Sequence, residues 1–445
     1  MTTINEIIDL QVLLGAGSTP FTNLSIPLIL TSEVPLNTFT TKTRLYNQED
    51  IVNDYPESTD TYKAISKMFS QTYKPKKVYI ALRDTAVVSV KKIVFSTALI
   101  TGNIVNGVVN GQVLTPTTFI TDHATTMSAV ATKIALAYGV DTATSALNEI
   151  TVTGELEYSL DLSFTVNGGL SVPTVTYTTV TAGSTAGSDI AEAIDDIGDA
   201  FYPVCLVGRN EGSVFSVASK VQTLKKVFMT STQDPTAKTN VTTDILSKLN
   251  ANGYTRTLHF WHKDNNEWID FGAMAIMTNR PFGSTDLSYQ TLQSVTTNSK
   301  SDINTSQEGF LKDKQANLYQ TVGGRDIVIG GNSSNGTPFD LILGSDFLFF
   351  EVRRRLFDFV VKNSQLLGKI SFTQTNIDVI GTIIKDVMVL MSNETYNFLD
   401  EKSLSVKVPD VNSLDKSLRK AGTYVCQANS TSGIRVIDAI ITILQ

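Results

Sequence analysis

The residues best suited to catalysis or metal binding are few, and their spacing does not bring them together. Of the three histidines, only His259 and His262 lie close in sequence. They belong to an apolar, strand-like run, in which residues three apart point to opposite faces, so the two imidazole rings would not share a metal ion. A zinc site would also need further Cys or His ligands, and no cluster supplies them. We therefore interpret the pair as part of an aromatic patch at the end of a strand.

Other catalytic and ligand-binding signatures are missing from the sequence. No Gly-x-Ser-x-Gly elbow presents a nucleophilic serine to any of the histidines. The glycine groups at 15–17 and 323–324 are not followed by the capped helix that a phosphate loop requires. An acidic group between residues 189 and 199 lacks the spacing of a calcium loop and is typical of a solvated helix face. We predict a protein that is not an enzyme and that has no cofactor and no metal site.

The composition predicts large ordered cores and a surface with little charge. The chain has 445 residues, of which 42% are hydrophobic, and this length corresponds to about three domains. Only 18% are charged, below the roughly 25% of a typical soluble domain. Threonine, with 57 residues, replaces much of the missing charge, which favours β-structure and surfaces that contact other proteins. The net charge of −7 argues against direct nucleic-acid binding.

The remaining sequence signals concern the compartment. Cys205 and Cys426 each lie in an apolar run, which predicts buried free thiols rather than a disulfide. The N-terminus lacks a basic region and carries Glu6 and Asp9, so we do not predict a signal peptide. No run of about 18 apolar residues predicts a membrane-spanning segment. We expect the protein to be made in a cytoplasm-like compartment.

Composition and periodicity divide the chain into segments of different character. Residues 91–190 contain only ten charged residues and twenty threonines, and their short Val/Ile/Thr-rich runs predict a β-rich insertion with one helix. Residues 21–90 and 191–300 alternate helix-like and strand-like patterns, which predicts one central α/β domain with a mixed sheet, interrupted by the insertion. In residues 301–433, long helical patterns followed by strand-like runs predict an α+β domain. The fold class is therefore α/β, mixed with α+β.

The α+β segment contains two long helical patterns. The first covers residues 345–363, where Glu351 can pair with Arg355, and Arg354 with Asp358, at i,i+4 spacing. The second is predicted to begin near Thr375 as its capping residue. Strand-like runs follow at residues 403–411 and at the C-terminus.

The C-terminal third contains an ordered series of motifs between Lys314 and Asn363. They are a run of the form N-a-N-x-Y-x-x-v-G-G, a glycine-serine-glycine turn and an acidic-aromatic helix, and the matching residues are Asn317, Tyr319, Gly323, Gly324, Gly336 and Asp346. This series resembles one branch of the contractile-tail sheath proteins of myophage-type bacteriophages. The sequence departs from this pattern at Gln315, where Asn is usual, and at Phe347, where Trp is usual. Segments upstream, including the insertion, resemble the same branch in the same order, so the likeness covers nearly the whole chain.

The resemblance implies a structural subunit of a phage tail. Such subunits polymerise around a rigid tail tube and contract to drive the tube through the host envelope. The C-terminal domain of such a subunit lies inside, against the tube, and its inserted domains face outward. The resemblance therefore implies an inner assembly domain at residues 301–433 and an outer domain at residues 91–190. The implied partners are further copies of the subunit, the tail tube protein, and the baseplate and tail terminator proteins. The implied location is the virion, after assembly in the host cytoplasm. A second function stays open, namely a virion-surface adhesin or decoration protein that binds carbohydrate through the β-rich insertion.

The resemblance also implies that both chain ends are extended arms, which add strands to the sheets of neighbouring subunits. The N-terminal arm would comprise residues 1–20 and the C-terminal arm residues 434–445. The positions expected to pair between subunits are Leu10, Val12, Leu13, Val436, Ile437, Ile440, Ile441 and Ile443.

Three consecutive arginines, Arg353, Arg354 and Arg355, allow two interpretations. One is local ion pairing with Glu351 and Asp358 on a helix surface, with the side-chain stems packed along it. The other is a basic helix face that docks on an acidic tail tube.

Overall fold

The computed structural model describes residues 24–37, 43–83, 89–110, 112–137, 140–154, 160–181, 193–195, 197–198 and 200–431. The strands are β1 (Leu28–Thr31), β2 (Thr43–Asn47), β3 (Lys77–Leu82), β4 (Val90–Phe95), β5 (Ile104–Val109), β6 (Gln112–Val113), β7 (Thr117–Thr118), β8 (Val140–Ala146), β9 (Glu149–Gly154), β10 (Leu162–Asn167), β11 (Val175–Thr181), β12 (Pro203–Leu206), β13 (Val227–Thr232), β14 (Thr257–Trp261), β15 (Leu318–Val322), β16 (Arg325–Ile329), β17 (Ser405–Lys407) and β18 (Val425–Gln427). The α-helices are α1 (Asp60–Phe69), α2 (His123–Ala135), α3 (Glu211–Gln222), α4 (Ile245–Ala251), α5 (Ile269–Thr278), α6 (Thr305–Asp313), α7 (Phe339–Leu367), α8 (Gln374–Ser392) and α9 (Ser413–Leu418).

A six-stranded mixed sheet lies at the centre of the α/β part. Its order is β14-β13-β12-β1-β3-β2, and all neighbours are parallel except β2, which runs antiparallel to β3. Every residue of β1, β12, β13 and β14 is buried, as expected when both faces of a parallel sheet are covered. Strands from before and after the insertion share this sheet, so the predicted mixed α/β fold is confirmed.

Local capping residues set where several helices begin. Thr59, Asp122, Asn210, Asp244 and Asn304 precede α1, α2, α3, α4 and α6, and each side chain accepts a hydrogen bond from the backbone N–H three residues on. These bonds satisfy N–H groups that have no partner inside the helix. Such signals are readable from sequence because they involve neighbouring residues only.

In its described residues, the insertion contains two antiparallel sheets and one helix. One sheet contains β10, β5 and β6, with β7 also paired to β5, and the other has the order β11-β4-β9-β8. Its core uses buried residues between Ile93 and Phe164 only. The Val/Ile/Thr-rich runs that predict strands lie at residues 91–100, 111–120, 148–154, 161–168 and 173–181 and do not include β5 and β8. The reason is that β5 contains Asn106 and Gly107, which are typical of turns, and β8 is an edge strand without an apolar stripe. The spacing of Met127, Val130, Ile134 and Tyr138 predicts a helix ended by Gly139; the helix lies at His123–Ala135, and Tyr138 and Gly139 lie outside the described residues.

Helix α7 joins the α/β part to a separate C-terminal core. Its first half contributes Phe339, Leu343 and Phe350 to a core against the central sheet. Its second half contributes Val352 and Leu356 to a core shared with α8. The helix begins six residues before the predicted start. One continuous helix therefore belongs to two hydrophobic cores.

The remaining C-terminal elements follow α7. The predicted capping residue of α8 was wrong: Thr373, not Thr375, accepts the capping hydrogen bond, from the backbone N–H of Asn376. After α8, strands β17 and β18 form a two-stranded antiparallel sheet. Within the described part of the chain, no helix combines the length and the apolar character needed to cross a membrane.

Candidate assembly surfaces

The two neighbouring histidines are buried and held by separate partners. His259 Nε2 donates to the carbonyl oxygen of Lys314 at 3.0 Å, while Nδ1 lies 2.9 Å from Ser334 Oγ. His262 contacts the carbonyl oxygens of Asp264 and Thr296 instead. Burial lowers the pKa of His259 to about 4, because desolvation disfavours the imidazolium. Among the described residues, no group of three or more His, Cys, Asp or Glu side chains could hold a metal ion.

The two cysteines differ in exposure. Cys205 lies in β12 and is buried, as predicted, but Cys426 in β18 is exposed, so its predicted burial was wrong. All three residues of β18 are exposed. An apolar run in sequence indicates burial only if a second layer of structure covers the strand, and the described residues do not cover this one.

Arg354 and Arg355 form the predicted ion pairs on the surface of α7. Arg355 Nε lies 2.8 Å from Glu351 Oε1, and Arg354 Nη1 lies 3.2 Å from Asp358 Oδ2. Arg354 Nη2 also contacts Glu351 Oε1 at 2.6 Å. Partial burial opposes ionisation of Glu351, but the hydrogen bonds from both arginines hold its pKa below the usual value. These two cations are therefore largely neutralised within the helix.

Arg353 does not share the surface of its two neighbours. Its side chain is buried, with 3% of the residue exposed, and its guanidinium carbon lies 5.7 Å from the centre of the Phe349 ring. The expectation of one exposed face made of all three arginines is corrected accordingly, because consecutive helical residues point about 100° apart. Docking on a tail tube stays a prediction for Arg354 and Arg355.

A buried polar network fixes α7 to the central sheet. Asp346 accepts two hydrogen bonds from the Arg256 guanidinium, at 2.6 and 2.8 Å, and one from the Tyr202 hydroxyl at 2.8 Å. All three residues are at most 4% exposed. Burial, together with the nearby Asp346 carboxylate, raises the pKa of Tyr202 well above its usual value. Asp346 belongs to a sequence motif, but its partners Arg256 and Tyr202 belong to none, because they lie 90 and 144 residues away in sequence.

A second motif residue, Asn317, joins three segments of backbone. Its Nδ2 donates to the carbonyl oxygens of His259 and Asn332, each at 2.9 Å, and its Oδ1 accepts from the N–H groups of Gly331 and Asn332. Gly331 adopts φ +88, a conformation that suits glycine. An open cleft of about 300 Å³ lies beside Asn317, next to the β15–β16 hairpin. The motif thus positions a hairpin at the edge of the central sheet.

The predicted arm residues cannot be placed in the structure. Leu10, Val12, Leu13, Val436, Ile437, Ile440, Ile441 and Ile443 all lie outside the described residues. The described chain ends at Thr431, next to Ser430, which forms an antiparallel bridge with Leu399. The roles of both arms stay predictions.

Comparisons with known proteins find similarity in structure but not in sequence. No family model matches the chain, and no curated protein matches it. A chain of the contracted helical sheath of the anti-feeding prophage is similar over 98% of both chains, with a TM-score of 0.51 and 9% identity. A chain of the baseplate of the same prophage is similar over 98% of both chains, with a TM-score of 0.50 and 10% identity. A sheath tail protein from Desulfitobacterium hafniense matches over 94% of this chain and 100% of its own, with a TM-score of 0.46 and 10% identity. At these identities the two prophage chains show the fold alone, and the resemblance to sheath proteins is confirmed at that level.

Proposed function

We propose that this chain is the structural subunit of a contractile tail sheath, which polymerises around a tail tube and contracts to drive the tube through a host envelope. The observation that carries the proposal is the agreement in fold, along nearly the full length of both chains, with a chain of a contracted helical sheath. The order of sequence motifs supports the same conclusion independently. The partners would be further copies of the subunit, the tail tube protein, and the baseplate and tail terminator proteins. The assembled form would belong to the virion, after assembly in the host cytoplasm.

The shared helix α7 supports a mechanical role. Because it packs in both the central core and the C-terminal core, and because packed cores are not continuously deformable, a displacement of one core is passed to the other. The buried Asp346 network strengthens this connection at the sheet. A subunit of this kind can rotate or slide as a body while its interfaces exchange, as in bistable assemblies.

The purified full-length protein is expected to polymerise into hollow tubes, which negative-stain electron microscopy would show directly. The tube width would also identify the extended or contracted form. If the protein stays monomeric or forms only small closed oligomers over a range of concentration and salt, the proposed function is wrong.

Excision of the insertion is expected to leave folding and tube formation intact. Val90 and Thr181 are register partners in the β4–β11 pair, so the chain enters and leaves the insertion at neighbouring positions, and the insertion has its own hydrophobic core. A variant with a Gly-Ser-Gly linker in place of residues 90–181 should therefore give tubes of smaller outer diameter in electron microscopy.

Two results would count against a separable insertion. A variant that does not fold, as judged by circular dichroism, would contradict the structural independence of the insertion, and a folded variant without tubes would place the insertion within the lattice.

The alternative function as a carbohydrate-binding adhesin is tested on a glycan array with the full-length protein. Binding that the excision removes would favour the adhesin.

A further inference from the structure

His123, the histidine of the insertion, connects three of its segments. It is the first residue of α2, and its side chain is partly buried. Its Nδ1 accepts a hydrogen bond from the backbone N–H of Leu99 at 2.9 Å, and its Nε2 lies 3.0 Å from the carbonyl oxygen of Leu147. The ring therefore joins the helix to the loop at residues 96–103, after β4, and to the turn between β8 and β9.

These two contacts require a neutral ring with its proton on Nε2. A backbone N–H can only donate, so Nδ1 must present its lone pair to Leu99, and Nε2 then donates to the carbonyl oxygen of Leu147. An imidazolium carries a proton on both nitrogens. Protonation of His123 would keep the bond to Leu147 but set two N–H groups against each other at Leu99. The bond to Leu99 therefore depends on the charge of one side chain.

Leu99 is part of the core of the insertion, with 2% of the residue exposed. An N–H that loses its acceptor within packed structure is unfavourable, so loss of the bond to His123 would favour movement of the loop toward water. Other bonds of the loop do not involve a titrating group. The N–H of Ile100 donates to Asn103 Oδ1 at 2.8 Å, and the N–H of Ser96 donates to the carbonyl oxygen of Thr174 at 3.0 Å. The release would therefore be local to Leu99 and its neighbours.

The position at the N-terminus of α2 also disfavours a charged ring, because the free N–H groups of the first turn give this end of the helix a partial positive charge. The adjacent carboxylate, Asp122, accepts hydrogen bonds from the backbone N–H and the hydroxyl of Thr125, at 2.7 and 3.1 Å. These bonds hold the pKa of Asp122 below its usual value, so this carboxylate stays ionised in mild acid. Of the two neighbours, His123 is the one that changes charge.

The other charged groups around the ring have contacts of their own or lie at a distance along their strand. The loop at residues 96–103 contains no charged residue. Glu149 pairs with Lys92 at 2.7 Å, and both Lys91 and Lys133 donate to backbone carbonyl oxygens. Asp141 lies at the opposite end of β8 from the turn. The charge of the ring is therefore the main variable at this junction.

We propose that His123 is an acid-sensitive pin of the insertion: the neutral ring holds the loop at residues 96–103 closed, and protonation releases it. Histidine side chains change charge between about pH 8 and about pH 5, so the loop is closed at neutral pH and open in mild acid. The insertion has its own hydrophobic core, so the release stays within it. This inference goes beyond the proposed function and does not depend on it, because every group involved belongs to the insertion.

Hydrogen exchange of the full-length protein, followed by mass spectrometry, tests the proposal. Peptides that contain Leu99 are compared at about pH 7.5 and about pH 5, on the two sides of the range in which histidine titrates. Exchange times are scaled for the pH dependence of the chemical exchange rate, and peptides from β12 and β13 serve as the reference. Relative to this reference, we expect exchange at Leu99 to be about tenfold faster or more in acid, as for a lost hydrogen bond that leaves an N–H unpaired.

Two variants separate His123 from its acidic neighbour. His123→Asn removes the titrating ring, so exchange at Leu99 should be the same at both pH values, whether or not the amide oxygen replaces Nδ1 as the acceptor. The matched control, Asp122→Asn, removes the adjacent titrating group and keeps a residue type that caps helices well. It should keep the full pH response. Circular dichroism shows whether each variant is folded.

Several results would overturn the proposal. One is equal exchange at Leu99 at both pH values in the wild type, and another is a pH response that persists in His123→Asn or disappears in Asp122→Asn. Acceleration of the central-sheet peptides by the same factor would also count against it, because it would reflect global unfolding. If His123→Asn does not fold, the wild type and Asp122→Asn still decide. Tube formation tests the proposed function separately.

Discussion

Replacing Asp346 by Asn is expected to lower the free energy of unfolding by about 3–5 kcal/mol, the usual effect of removing one partner from a buried ion pair. The carboxylate accepts three hydrogen bonds, two from Arg256 and one from Tyr202. An amide carries no charge and offers only one oxygen, so the buried guanidinium would lose its counter-charge. Because the network ties α7 to the central sheet, this loss would weaken the connection between the two cores.

Urea denaturation followed by tryptophan fluorescence would measure this effect. Both tryptophans, Trp261 and Trp268, are buried in the α/β part, so they report on the region that contains Arg256. The matched control is Asp358→Asn, which removes an exposed partner of Arg354 on the same helix and should change stability by less than about 1 kcal/mol. Equal effects of the two substitutions would show that the buried network does not stabilise the fold.

Removal of the C-terminal arm, residues 434–445, is expected to abolish tube formation and leave a folded subunit. In the described residues, β17 and β18 form a sheet of two strands, and two strands are marginal by themselves, so an added strand would stabilise this sheet. Their outer edges can pair with a strand from a neighbouring subunit. The arm is rich in Ile and Val, which favour strands.

Electron microscopy and sedimentation of the truncated protein would test this expectation, with circular dichroism to verify the fold. Removal of residues 1–14 should have the same effect if both arms exchange strands. A point variant, Ile437→Asp with Ile441→Asp, keeps the chain length and should also prevent tubes. Its matched control, Arg435→Ser with Asp438→Ser, changes polar positions of the same arm and should assemble. Truncated protein that forms tubes of normal width would contradict strand exchange.

The sequence by itself determined the features that depend on neighbouring residues. The runs KVYIAL and VFMTST predict strands at residues 77–82 and 227–232, and β3 and β13 have these bounds, because buried parallel strands are short, nearly continuous apolar runs. The pairing of Glu351 with Arg355 followed from helical spacing alone. The fold class also followed, because alternating helix and strand patterns on both sides of the insertion leave few other arrangements.

Only the tertiary structure decided which side chains are buried and which distant residues meet. Arg353 is buried and Arg354 is exposed, although both are arginines in one helix, because a core covers only one side of α7. Asp346 meets Arg256 and Tyr202, and no local pattern links residues 90 or more positions apart. Cys426 lies in an apolar run that no described layer covers. The physical reason is common to all three: burial and long-range hydrogen bonds are properties of packed surfaces, whereas sequence periodicity reports only which face of an element is apolar.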